Sequence, residues 1–151
     1  MWLIIGYGNR LRGDDGAGPL LAEHLAAQLP ADTARVLIEH QLTPELVEEL
    51  IRPQINQVLF IDVRCLQSEA LQIIPLDPQE ASSSSAGHLL QPELLLYTAV
   101  ELYQRHLPGW LLTLPGTDFN FSENLSHTTA AAVQQAALQV PRLLQQLQAH
   151  E

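Results

Sequence analysis

The sequence predicts an α/β fold: a single three-layer domain over residues 1–151, with a mostly parallel, twisted sheet of about five strands and helices on both faces. Three observations predict it. The chain is 151 residues long, the size of one domain. Four short runs, Trp2–Ile5, Val36–Glu39, Val58–Val63 and Trp110–Leu114, are nearly all apolar, as strands covered on both faces must be. Between them lie segments whose apolar residues recur three and four apart, the spacing of a helix, and strand alternating with helix gives a parallel sheet.

Each element has its own signal. Trp2–Ile5 runs into a glycine-rich loop, after which Pro19 opens a helix carrying Leu21, Leu25 and Leu29 on one face, because its missing N–H does no harm in a first turn. Val36–Glu39 is the second strand. Thr43 can cap a helix beginning at Pro44, with Glu45 in the first turn and Leu46, Val47, Leu50 and Ile51 facing inward. After the third strand, Val58–Val63, the run Ala70–Leu76 is broken by Gln72 and reads as an antiparallel edge strand. Pro75 to Gly87, which holds the serines from Ser82 to Ser85, reads as a long loop. Pro92 starts another helix, with rows Leu95, Ala99, Leu102 and Leu96, Val100, Tyr103, Leu107. Ser126 can cap the last helix, in which Val133, Ala137, Val140, Leu144 and Leu147 recur. Pro141 removes the bond to the Ala137 carbonyl, at a cost of about 3 kcal/mol in a straight helix, so a kink or break is expected there.

Composition excludes several classes. With 46% apolar and 16% charged residues the chain folds rather than remaining disordered. No run approaches the roughly 18 apolar residues that cross a bilayer, and the chain opens directly into a strand with no basic segment or cleavage site, so a cytoplasmic protein without a membrane partner is expected. Seventeen acidic residues against seven basic ones, all Arg, give a net charge of -10. A nucleic-acid backbone would be repelled. The single cysteine, Cys65, excludes an internal disulfide and any multi-cysteine zinc site, and a small buried apolar residue is expected at this position.

In open parallel sheets ligands bind beyond the carboxyl ends of the strands. Beyond the first strand stand Gly6, Gly8, Asn9, Gly13, Asp14, Asp15, Gly16 and Gly18. Glycine permits close backbone approach, and Asn9 can bond its own turn. A dinucleotide fingerprint needs a third glycine where Leu11 stands, and the chain has no Lys for a phosphate loop. The third strand places Asp62 after apolar residues. If the first and third strands are neighbours, Asp62 shares a crevice with Asp14 and Asp15, and such a cluster of like charges calls for a cation. His88, between the serine-rich loop and the Pro92 helix, would complete two carboxylates and an imidazole, a set suited to borderline divalent ions. His40 ends the second strand and points to the same crevice. His24, His106, His127 and His150 fall in helical segments and read as surface or packing residues.

Gly6-x-Gly8-Asn9 with Leu11, Asp14-Asp15-Gly16 and Gly18, followed by Asp62 and His88, resembles the hydrogenase maturation endopeptidases, which trim the carboxyl-terminal extension from the large subunit of NiFe hydrogenases. The resemblance runs over nearly the whole chain. It implies that Asp15, Asp62 and His88 are the catalytic, metal-contacting residues, with Asp15 where other members carry Glu. It implies that Gly8, Asn9, Asp14, Gly16, Gly18 and His40 shape the loop or meet the substrate. Many members carry Asp where His40 stands, and the run from His40 to Leu46 looks like the branch serving bidirectional, NAD-linked hydrogenases. The implied partner is a precursor large subunit, and the implied metal is nickel presented by that partner, with another divalent ion as the alternative. A phospho-receiver domain shares the acids and the sheet but needs a Lys that this chain lacks. A noncatalytic relative that binds the subunit without cutting it has the same sequence features.

Overall fold

The computed structural model describes residues 1–81 and 90–149. Its strands are β1 (Trp2–Tyr7), β2 (Ala34–Glu39), β3 (Gln57–Cys65), β4 (Gln72–Pro75) and β5 (Gly109–Gly116). They form one sheet in the order β2-β1-β3-β5-β4. β1, β2, β3 and β5 are parallel, and β4 pairs antiparallel with β5 at the edge. The α-helices among the described residues are α1 (Ala17–Gln28), α2 (Val47–Leu50), α3 (Pro92–Tyr103) and α4 (His127–Ala149). None is long and apolar enough to cross a membrane.

Two cores flank the sheet. Trp2, Ile4, Leu59, Ile61 and Leu112 pack under α1 and α4 against Leu21, Leu25, Val133 and Val140. Leu3, Ile5, Val58 and Phe60 point the other way, against Leu50 of α2 and Leu95, Leu96 and Ala99 of α3. Successive residues of β1 and β3 therefore serve opposite cores, which is why neither run could spare a polar residue before its carboxyl end. Each large side chain buried this way stabilises the fold by about 1.5–3 kcal/mol.

Several boundaries differ from the sequence expectation. The edge strand is shorter, Gln72–Pro75. α1 starts at Ala17, so Pro19 is its third residue, still within the turn whose N–H groups need no helical partner. The Pro44 segment is a 3-10 turn, Pro44–Leu46, followed by the single turn of α2, and the Thr43 side chain makes no capping hydrogen bond. Burial of Leu46, Val47 and Leu50 fixes this short piece instead. α3 stops at Tyr103, where Gln104 turns left-handed with φ 52°, so Leu107 and His106 lie beyond the helix. Cys65 is exposed rather than buried, because β3 continues to the rim of the sheet, where Cys65 pairs with Gly116. α4 runs unbroken through Pro141. Val133, Ala136, Ala137, Val140 and Leu144 are buried on both sides of the proline, and that packing outweighs the lost hydrogen bond.

Candidate active site

From β1 the chain passes through α1 to β2 on one side, then crosses to β3 on the other. The crevice beyond β1 and β3 is thus a topological switch point, where ligands bind in sheets of this kind. Its first wall is the loop from Gly8 to Gly16. Gly8 has φ +152°, and a Cβ there would lie 1.9 Å from the Asp15 carbonyl oxygen. At Gly18 a Cβ would lie 2.7 Å from the Tyr7 carbonyl oxygen and 2.9 Å from that of Ile61. These two glycines let α1 begin directly against the ends of β1 and β3, which carries Asp15 to the crevice.

Within the loop, the Asn9 amide donates to Asp15 Oδ2 at 2.6 Å, and Asn9 Oδ1 accepts from the Leu11 amide at 2.9 Å. Residues 13–16 close a 3-10 turn. Asp14 and Asp15 point to different tasks. Asp14 is fully buried, and its carboxylate accepts from the amides of Thr117 at 2.8 Å, Asp118 at 3.0 Å and Ser126 at 2.7 Å, and from the Ser126 hydroxyl at 2.8 Å. Burial pushes this carboxyl up, but the donors from Thr117, Ser126 and Asp118 outweigh it and hold it at about 2. Asp14 is a structural clamp, not a group open to a substrate. Ser126 in turn accepts from the Thr129 amide at 3.3 Å, capping α4.

Asp62 stands on β3 one step past the last β1–β3 pair, Gly6 with Ile61, and so beside Tyr7. Burial pushes its carboxyl up to about 6, the charge of Asp15 adds to this, and the Val63 amide and Tyr7 hydroxyl act against it. Burial, then Asp62, raises the Tyr7 phenol well above its ordinary value, with smaller contributions from Glu93 and Asp15. Asp15, Asp62 and Tyr7 therefore share one electrostatic neighbourhood, to which Glu93 in the first turn of α3 adds its charge. A pair of carboxylates so placed is relieved by a proton or a cation.

His88 lies outside the described residues. Among the described residues no group of three or more His, Cys, Asp or Glu is placed to hold a metal ion. His40 is exposed just beyond β2 and makes no hydrogen bond or ion pair among them. Gly16 packs its backbone on Arg10, where a Cβ would lie 3.2 Å from the Arg10 Cα. Sequence reasoning did not single out Tyr7, Glu93, or the donors of Thr117 and Ser126. For Tyr7 a signal existed: it is two residues beyond Ile5 on β1 and so faces the α2–α3 side, as Asp62 does two residues beyond Phe60.

The loop is also joined to the β5–α4 connection. The Ser122 amide donates to the Leu11 carbonyl and the Gly13 amide to that of Ser122, both at 2.9 Å. Leu11 and Phe121, 46% and 86% exposed, stand on this joined rim.

No family model matches the chain, and no curated protein matches it in sequence. Solved structures do match. The NiFe hydrogenase maturation protease HycI from Thermococcus kodakarensis is 22% identical with a TM-score of 0.75, covering 95% of this chain and 92% of that one. The hydrogenase 2 maturation peptidase from a Thaumarchaeota archaeon is 26% identical with a TM-score of 0.65, covering 95% and 97%. The hydrogenase maturating endopeptidase HybD from E. coli is 19% identical with a TM-score of 0.71, covering 96% and 92%. Over about 95% of its length the chain shares the architecture of these hydrogenase maturation proteases, and the resemblance drawn from its glycine-acidic loop is borne out at that level.

Proposed function

We propose that the chain is a hydrogenase maturation endopeptidase, a peptide hydrolase that removes the carboxyl-terminal extension of a nickel-loaded large-subunit precursor of a NiFe hydrogenase. The observation that carries this reading is the convergence of Asp15 and Asp62 on the switch-point crevice of a fold shared with maturation proteases. Two half-buried carboxylates of which one is held near pKa 6 make a site that gains from a divalent cation. In this reading the cation is nickel, brought by the precursor as part of the substrate, and His88 supplies the third ligand. Nickel there can polarise the scissile carbonyl or lower the pKa of an attacking water.

The chain's own residues do the rest. Asn9 holds one oxygen of Asp15, the Val63 amide holds one oxygen of Asp62 at 2.7 Å, and Asp14 fixes the loop that carries Asp15. Leu11 and Phe121 offer the precursor an apolar footing beside the crevice. His40 stands exposed just beyond β2; in this reading the substrate belongs to the bidirectional, NAD-linked hydrogenases and the reaction takes place in the cytoplasm.

The test is incubation with a nickel-loaded precursor, read as a mass decrease equal to the tail. Asp15→Asn and Asp62→Asn each remove a charge and keep the shape, so both should lose processing while unfolding cooperatively. Normal processing by both variants would remove these residues from the site. Stable binding of the precursor by the native chain, without loss of mass, would make it a noncatalytic partner.

A further inference from the structure

We propose that Tyr7 is a positioning residue for Asp62, its hydroxyl fixing the orientation in which the Asp62 carboxyl faces the crevice. This rests on the peptidase reading of Asp62. Tyr7 pairs with Glu39, Asp62 with Thr113, and Gln72 with Thr113, while the β1–β3 pairing runs to the step just before Tyr7 and Asp62. Paired residues point to the same face and neighbouring strands stand about 4.8 Å apart. Glu39, Tyr7, Asp62, Thr113 and Gln72 therefore form one polar row across the carboxyl end of the α2–α3 face. Directly beneath it lies the apolar layer of Leu37, Ile5, Phe60 and Leu111.

In that row Asp62 has two side-chain neighbours, one on each adjoining strand. Thr113, on β5, is committed elsewhere: its hydroxyl donates to Gln67 Oε1 at 2.7 Å, and Gln67 Nε2 donates back to the Thr113 carbonyl at 2.9 Å. This clasp turns the threonine toward the loop after β3. Tyr7, on β1, is left as the neighbouring side chain with a hydroxyl to offer Asp62, one step past the Gly6–Ile61 pair. The remaining donor is the Val63 amide, to Asp62 Oδ1 at 2.7 Å. In this proposal the amide from the carboxylate's own strand and the hydroxyl from the next strand act on the group from two directions, against the charge of Asp15. Outer partners of this kind set the orientation of a ligating carboxylate, and their loss costs roughly 10- to 100-fold in affinity or activity.

Tyr7→Phe keeps the packed ring and removes only the hydroxyl, so it isolates this role. With nickel-loaded precursor, Tyr7→Phe should lower kcat about tenfold or more while KM moves less than about threefold. A purely structural ring would leave both unchanged, and that result in an active native chain overturns the proposal. A second measurement does not depend on cleavage. In a double-mutant cycle on the unfolding equilibrium of the whole chain, Tyr7→Phe should change the unfolding constant severalfold in the native background and leave it unchanged in Asp62→Ala. Additive effects overturn the pairing. Coupling in unfolding, together with a native chain that never shortens an authenticated precursor, supports the pairing and overturns the peptidase reading instead.

Discussion

The Asp14 carboxylate accepts a 2.7 Å hydrogen bond from the backbone amide of Ser126, 112 residues further along the chain. This contact pins the turn before α1 to the start of α4, and the Thr117 and Asp118 amides complete the clamp. The two adjacent acids are thus held differently: Asp14 accepts from donors of the β5–α4 connection, and half-buried Asp15 accepts from the Asn9 amide of its own loop.

Asp14→Asn should destabilise the protein by about 3 kcal/mol, because the amide NH2 would face N–H donors and leave them unmatched in a buried place. The shift is read as a lower denaturant midpoint at unchanged slope. The folded-state pKa near 2 lies below the ordinary 3.8, so the stabilisation is complete above about pH 4 and disappears as pH falls toward 2. Native protein should show this acid limb and the variant should lack it.

Asp62 has the opposite linkage. Its folded-state pKa of about 6 lies above the ordinary 3.8, so the folded chain holds the proton more tightly. That contribution is full below about pH 4 and is lost as pH rises through 6. Asp62→Asn, which copies the protonated shape, should therefore gain stability relative to the native chain at pH 7.5 but not at pH 4, by up to roughly 3 kcal/mol. Melting temperatures across that range check it, and a difference independent of pH would contradict it.

Gly8→Ala should cost about 2–3 kcal/mol and displace Asp15, since the new Cβ meets the Asp15 carbonyl in a backbone conformation that alanine rarely adopts. Under the peptidase reading, processing should fall further than stability does. Assaying the variant well below its melting temperature separates the two effects.

Pro141→Ala should stabilise α4 by about 1–2 kcal/mol. It restores the bond to the Ala137 carbonyl, partly offset by the freer unfolded chain. Thermal unfolding checks the sign, and no effect on processing is expected, because Pro141 lies on α4 rather than at the crevice.

The strands were legible because β1, β3 and β5 are buried on both sides and could tolerate only apolar runs. Asp62 was legible as a candidate because it follows such a run, where a carboxylate has no packing reason to be, and Asp15 because it is one of two adjacent acids set among glycines. Three things were hidden. The role of Asp14 depends on donors more than a hundred residues away, which no local pattern encodes. The continuity of α4 through Pro141 depends on Val133, Val140 and Leu144 being buried against another element, a tertiary term that local propensity omits. The exposure of Cys65 follows from β3 extending beyond the covered part of the sheet, and apolar composition alone gives no end point for a strand.

The short strand β4 bears on how this molecule behaves when crowded. It contributes four residues, its last is Pro75, and Ile74 and Pro75 are exposed. A second molecule seeking to zip its own backbone onto this flank would find a brief ladder ended by a residue without an N–H. Growth of a continuous sheet through successive copies, the first step toward fibres, is blocked on this border by the same strand that completes the domain.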